Sequence, residues 1–317
     1  MGYRIMSVSG FGNMYKALKE HHGIDYKKLS IPKPWKKGPW TSERKNNIIR
    51  QIKIYKPHFL FMMKDPYFTN LLPLIKAEFP KLKTIMWYGD QRGNIIEPLI
   101  AGRSRFLDGL LITNDAPVQL RMYRQIGIKH VYTFYHSFAP EQFQLWDREI
   151  THDVFFGGTN FSVSKFPLSL LRRQLIYHTR KNFRLVVHGG GWKFPTEKWV
   201  LSPGYAKELR KAHINLGINH YHLQRYYNRR LFEAVASGRL HITYYIPGME
   251  KHFKNHEHLV WFKTVAQAIS LISYYLKHDK KREEIAKNGR EFFLKYHAWA
   301  PRTHLLKKIL LRMLKTK

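Results

Sequence analysis

The stretch Asn228-Arg229-Arg230-Leu231-Phe232-Glu233-Ala234-Val235-Ala236-Ser237-Gly238-Arg239-Leu240-His241-Ile242-Thr243 reads as a helix that stops on glycine and passes into a β-prone run. Upstream the same exchange of strand for helix recurs. Asp153-Val154-Phe155-Phe156 runs into Gly157-Gly158-Thr159-Asn160, a helix is predicted over 166–181, and Arg184-Leu185-Val186-Val187-His188 runs into Gly189-Gly190-Gly191. Earlier still, strands are predicted over 3–8, 58–63, 82–88, 109–113 and 130–135. Helices are predicted over 14–19, 43–55, 67–78, 95–107 and 116–126. Apolar strands alternating with helices are the pattern of parallel sheets covered on both faces, so the chain reads as α/β. The series restarts after Ser137-Phe138-Ala139-Pro140. We therefore expect two doubly wound, Rossmann-like domains, 1–140 and 141–302, facing a cleft at the carboxyl ends of their strands. A terminal segment, 303–317, carries an apolar stripe of Leu305, Leu306, Ile309, Leu310, Met313 and Leu314 and should pack on the body, possible ground being the N-terminal domain.

Composition narrows the function classes. The chain has 317 residues, 55 Lys plus Arg against 22 Asp plus Glu, and a formal charge of +33. Self-repulsion of that size destabilises a compact state, so an anionic partner is implied. The excess is not a tail: residues 1–140 hold 23 basic and 9 acidic side chains, and residues 141–317 hold 32 and 13. With 44% hydrophobic and 15% aromatic residues a packed core is available. The absence of cysteine removes disulfides, thiolate zinc sites and thiol nucleophiles, and suits a cytoplasmic home. Apolar runs such as Phe59-Leu60-Phe61-Met62-Met63 are far shorter than the roughly 20 residues of a membrane span, so a soluble or at most peripheral protein is expected. There is no G-x-x-x-x-G-K-[ST] loop and no H-E-x-x-H zinc spacing, and Gly10-Phe11-Gly12-Asn13 is too short for a dinucleotide fingerprint. The Pro32–Trp40 stretch, with three prolines and a glycine, is predicted to be an exposed basic, aromatic loop.

Arg230 and Glu233 fall three residues apart on one helix face. An arginine neutralises a diphosphate while a nearby carboxylate accepts both hydroxyl protons of a ribose, so the pair suits a nucleotide diphosphate; the same spacing also serves an ordinary ion pair. The surrounding order of elements resembles the C-terminal half of GT-B glycosyltransferases, especially group-1-like and CgeB-like families. Arg230-Leu231-Phe232-Glu233 through Gly238 is followed by Met249-Glu250-Lys251-His252-Phe253, Val265-Ala266-Gln267-Ala268-Ile269, Ile285-Ala286-Lys287-Asn288-Gly289, and His297 to Arg302. Phe156-Gly157-Gly158-Thr159 and His188-Gly189-Gly190-Gly191-Trp192 match more weakly, and the N-terminal half matches only in its alternation.

The resemblance implies a nucleotide-sugar donor, UDP-sugar being favoured, with no permanently bound cofactor. It implies Glu233 on the ribose and Arg230 on the pyrophosphate, with Gly157, Gly158 and Gly190 letting backbone approach the phosphates. Many retaining members carry an acid where this chain has Arg225, which favours inversion and adds positive charge near the diphosphate. No D-x-D motif occurs, so arginine and lysine rather than a metal should stabilise the leaving group. An inverting transferase needs a base beside the acceptor hydroxyl. Asp90, in Trp87-Tyr88-Gly89-Asp90-Gln91-Arg92-Gly93 after a strand, is the first candidate; an aspartate that merely makes a turn is the competing reading. His136 and Asp115 follow it.

A nucleotide sugar needs few positive charges, so the acceptor should be a polyanion. Charge on both halves favours double-stranded DNA bearing a hydroxymethylated base, a phage-type modification in which the base leaves the stack. A glycan at an anionic membrane surface is the alternative, with the terminal helix as anchor. A non-catalytic nucleic-acid-binding protein on this fold is the third reading.

Overall fold

The computed structural model describes residues 3–8, 13–20, 23–31, 39–145, 149–164 and 166–315. Gly10, Phe11 and Gly12 and most of the Pro32–Trp40 loop lie outside the described residues. The chain divides into two compact units, Met1–Tyr135 with Arg302–Lys317, and His136–Pro301.

The first unit comprises β1 (Tyr3–Ser7), α1 (Asn13–Glu20), β2 (Ile24–Lys28), α2 (Ser42–Tyr55), β3 (Phe59–Met63), α3 (Leu72–Glu78), β4 (Lys83–Tyr88), α4 (Pro98–Ala101), β5 (Gly109–Ile112), α5 (Pro117–Gln125) and β6 (His130–Thr133). Its six strands run parallel in the order β2-β1-β3-β4-β5-β6. Phe59, Leu60, Phe61 and Met62 are all buried, as a central strand covered on both faces requires. Leu60, Met62, Met86, Leu110 and Ile112 meet Ile48 and Ile52 of α2 and Leu72 and Ile75 of α3 in one core. Thr41 caps α2 by accepting from the Arg44 N–H, and Lys56, at φ 49°, closes it with its N–H on the Ile52 carbonyl.

One helix over 95–107 does not form. Pro98 opens a four-residue α4, Gly102 follows it, and a 3-10 turn at Ser104–Phe106 completes the connection. Proline at the start and glycine after the end bound a helix too short to continue. β2 was not anticipated. It is an edge strand with only Ile24 buried, and its lysines blunt the open edge.

The second unit comprises β7 (His152–Gly157), α6 (Ser169–Asn182), β8 (Leu185–His188), α7 (Gly204–Leu209), β9 (Ala212–Gly217), α8 (Arg229–Ala236), β10 (Leu240–Tyr244), β11 (Val260–Phe262), α9 (Val265–Lys277) and α10 (Asp279–His297). Its strands are parallel in the order β11-β10-β9-β7-β8, so the connections leave in opposite directions between β7 and β9. That is the switch point where open α/β sheets bind ligands. Gly289, in α10, has no room for a side chain: a Cβ there would collide with the His258 carbonyl oxygen and press on Val235. The glycine lets α10 lie against backbone.

The last helix, α11 (Trp299–Lys315), falls mostly in the first unit. Leu306, Ile309, Leu310 and Met313 of its stripe are buried there, with Met313 against Gly109 of β5. Leu314 of the same stripe stays exposed and Leu305 is half-buried, so only part of the stripe is left for any lipid surface. No described helix is long and apolar enough to cross a membrane.

Candidate functional site

The carboxyl ends of β7, β9 and β10 and the start of α8 surround a small hollow of about 20 Å³, room for about one water. Gly157, Asn215, Asn228, Arg230, His241 and Thr243 are among its walls. Asn228 caps α8, its side-chain oxygen accepting from the Leu231 N–H at 3.2 Å, so the free N–H groups of the helix begin at this edge. His241 is buried, and its Nδ1 lies 2.9 Å from the Asn215 carbonyl, which can only accept. Nδ1 therefore carries the proton and Nε2 is the acceptor. Burial pushes this imidazole down to about 4, so it is neutral at pH 7. Neither His241 Nε2 nor Asn215 Oδ1 has a protein partner.

Glu233 is 4% exposed on the same helix. Its Oε1 pairs with Arg229 Nε at 3.3 Å and accepts from Ser202 Oγ at 3.4 Å, while Oε2 has no protein partner. Burial raises its pKa against the lowering effects of Arg229, the Ser202 hydroxyl and Arg230. A buried carboxylate with an idle oxygen costs stability unless a ligand supplies donors. The ion pair closes at i,i+4 with Arg229, whereas Arg230 turns to the hollow. Tyr205, a neutral buried phenol, packs between, within the fields of Glu233, Arg229 and Arg230.

Sequence reasoning missed Arg172. It is 1% exposed in the first turns of α6, where Nη1 donates to the Thr159 carbonyl at 3.2 Å and Nη2 to the Ile218 carbonyl at 2.7 Å. One guanidinium thus ties the loop after β7 to the loop after β9. Burial, with Arg230 adding repulsion, lowers its pKa. Two arginines converging on the switch point make an anion-attracting site. An arginine in a polar helix turn gives no sequence signal of this.

The three glycines differ in the room around them. A Cβ at Gly157 would sit 2.6 Å from Tyr205 Oη, and one at Gly158 would sit 2.9 Å from the Phe156 ring and 3.0 Å from Arg172 Nη1. A side chain at either position would have to displace these neighbours. Gly190 faces open space, and its neighbours Gly189 and Gly191, at φ +135° and +81°, hold the turn. Arg225 is 6% exposed, adopts φ 54°, and donates its backbone N–H to the Pro247 carbonyl at 2.9 Å. It lies in the loop leading from β9 to α8, beside the turn after β10.

In the first unit Asp90 is exposed at the carboxyl end of β4. Its loop is anchored on either side, by Thr113 Oγ1 donating to the Gly89 carbonyl at 2.8 Å and by Gln91 Nε2 donating to Gln119 at 3.2 Å. Asp115 follows β5 at the same edge, half-buried. His136 is 8% exposed and opens the second unit.

Residues 170–308 match the model of a family described as "Glycosyl transferase-like". A sucrose-phosphate synthase from Thermosynechococcus elongatus superposes with a TM-score of 0.66 at 10% identity, covering 99% of this chain and 100% of that one. Both domains are GT-B in fold, and the matched region is glycosyl transferase-like. HepE of Anabaena, solved with UDP and glucose, superposes at 0.65 with 9% identity over 98% and 100% of the two chains. An α-glucosyltransferase solved with UDP and a 13-mer DNA containing an HMU base superposes at 0.72 with 9% identity, again over 98% and 100%. No curated protein matches the chain in sequence. Read on the GT-B fold, the matched region spans Arg172, Arg225, Arg230 and Glu233 and all of α8.

Proposed function

We propose that the chain transfers a sugar from a UDP-sugar to the hydroxyl of a hydroxymethylated base in double-stranded DNA. The observation that carries the donor assignment is Glu233: a buried carboxylate with one unpartnered oxygen, beside Arg229 and Arg230, on the helix whose start edges the hollow. A ribose supplies the missing donors through its two hydroxyls. Arg230 and Arg172, with Arg225 on the neighbouring loop, offset the charge that builds on the departing diphosphate, so the leaving group needs no bound metal. Asp90 takes the acceptor proton in an inverting displacement. The DNA assignment is supported by a charge of +33 carried by both halves and by the fold shared with an α-glucosyltransferase that was solved on DNA. A basic protein releases phosphate counterions on binding. Affinity for hydroxymethylated duplex should therefore fall about 1,000-fold or more between 50 and 200 mM salt if six or more phosphates are contacted. Affinity that does not change with salt contradicts a DNA acceptor. The membrane reading has less to support it, because four of the six apolar residues of the α11 stripe are buried.

A further inference from the structure

A groove of about 540 Å³ opens between α9 and α10, beside the residues that precede β11. It stands apart from the donor hollow and shares no wall residue with it. Strand polarity separates them too. The hollow lies at the carboxyl ends of β7, β9 and β10, whereas the groove takes in His256, on the amino side of β11, and the last turns of α9, which has run back from that strand's carboxyl end.

The walls combine two chemistries. Leu271 and Ile285 give an aliphatic floor, with Tyr274 and Tyr275 above it. Tyr274 is 37% exposed and is held in place: its ring stacks on His278 at 3.9 Å between centroids and 18° between planes, and Lys281 Nζ donates to its hydroxyl at 2.8 Å. Tyr275 is fixed through its hydroxyl, 2.6 Å from His256 Nδ1. Glu284 and Asn288 add a carboxylate and a carboxamide to the rim, one turn apart on α10. The volume lies within the roughly 300–1,000 Å³ of ligand pockets.

We propose that this groove is a second saccharide-binding site that takes a pyranose ring and takes no part in the transfer itself. An immobilised aromatic ring offers a flat apolar surface to the C–H face of a sugar. A carboxylate accepts from two neighbouring hydroxyls, and a carboxamide both donates and accepts, which is the mixture that a polyol needs and a phosphate does not. Glu284 offsets the charge of Lys281 in the same wall, which leaves no surplus cation to hold a phosphate. Such a site would hold a saccharide that is not part of a nucleic acid. The assignment does not depend on the donor reading.

The test is saturation-transfer NMR on the full chain with the methyl glycosides of glucose, galactose, mannose, N-acetylglucosamine and rhamnose, with UMP as the anionic control. At least one glycoside should give transfer that persists under saturating UDP. Tyr274→Ala and, separately, the exposed Glu284→Gln should weaken that glycoside at least 10-fold, with UDP affinity unchanged. Glu284→Gln keeps the test alive if Tyr274→Ala fails to fold. Three results overturn the proposal: no transfer from any glycoside, transfer abolished by UDP, or transfer equal in wild type and Glu284→Gln.

Discussion

Replacing Glu233 by glutamine should move binding and stability in opposite directions. The carboxylate is buried, one oxygen is idle, and it is ion-paired to an Arg229 side chain that is 50% exposed, with Arg230 acting at longer range. Solvent screens the half-exposed Arg229, so the pair offsets only part of the cost of burying the Glu233 carboxylate. Burial raises the folded pKa of Glu233 above its unfolded value. The native state therefore holds the proton more tightly than the unfolded chain, and its contribution to stability is full below the unfolded value and lost as pH rises through the folded one. Above the folded pKa the ionised carboxylate is a burden, and glutamine, neutral at every pH, removes it. Tm of Glu233→Gln should equal or exceed that of wild type. Donor binding should suffer, because one charge-assisted hydrogen bond to ribose, worth about 1.5–3 kcal/mol, becomes a neutral one or is lost. At 1.4 kcal/mol per decade this is roughly a 10- to 100-fold weaker UDP Kd by calorimetry. Calorimetry and a thermal melt on the same preparation decide it. Unchanged UDP affinity together with a Tm lowered by several degrees would show that Glu233 serves the fold and refute its role as ribose ligand.

His241 and His152 are both pushed down to about 4 by burial. Between pH 6.5 and 4 the unfolded chain binds more protons, so stability should fall as pH drops through this window, and a Tm flat from pH 7 to 4.5 contradicts the burial of neutral imidazoles. Gly289→Ala should cost about 1–3 kcal/mol in urea unfolding, because its Cβ meets the His258 carbonyl rather than a flexible side chain; an unchanged midpoint would mean that α10 sits farther off. If Asp90 is the base, Asp90→Asn should lower transfer about 100- to 10,000-fold with UDP affinity intact, and the wild-type product should be anomerically inverted. A fully active variant, or a product of retained configuration, removes Asp90 from the chemistry.

Much of this architecture is legible in the chain. The segments 59–62 and 85–88 are buried on both faces and are continuous apolar runs, which sequence shows directly. β2 escapes because a polar edge strand with one buried residue has no such run. Glu233 and Arg230 are visible through their helix, but helix phase decides which arginine closes the ion pair, and the i,i+4 neighbour Arg229 takes it. Arg172 is invisible because its role comes from two carbonyls in loops 13 and 46 residues away. The crowding at Gly157 and Gly158 likewise comes in part from distant side chains, Tyr205 and Arg172. Local pattern reports which face is buried; it does not report what a long polar side chain reaches after the sheet has assembled.

The central claim is tested most directly by incubating the protein with UDP-glucose and duplex DNA, with and without 5-hydroxymethylpyrimidines, and weighing the nucleosides by mass spectrometry. A gain of one hexose on the hydroxymethylated base alone is the predicted result. No gain on either DNA, with UDP-glucose still hydrolysed, would contradict the DNA acceptor; no gain and no hydrolysis would contradict the UDP-glucose donor as well.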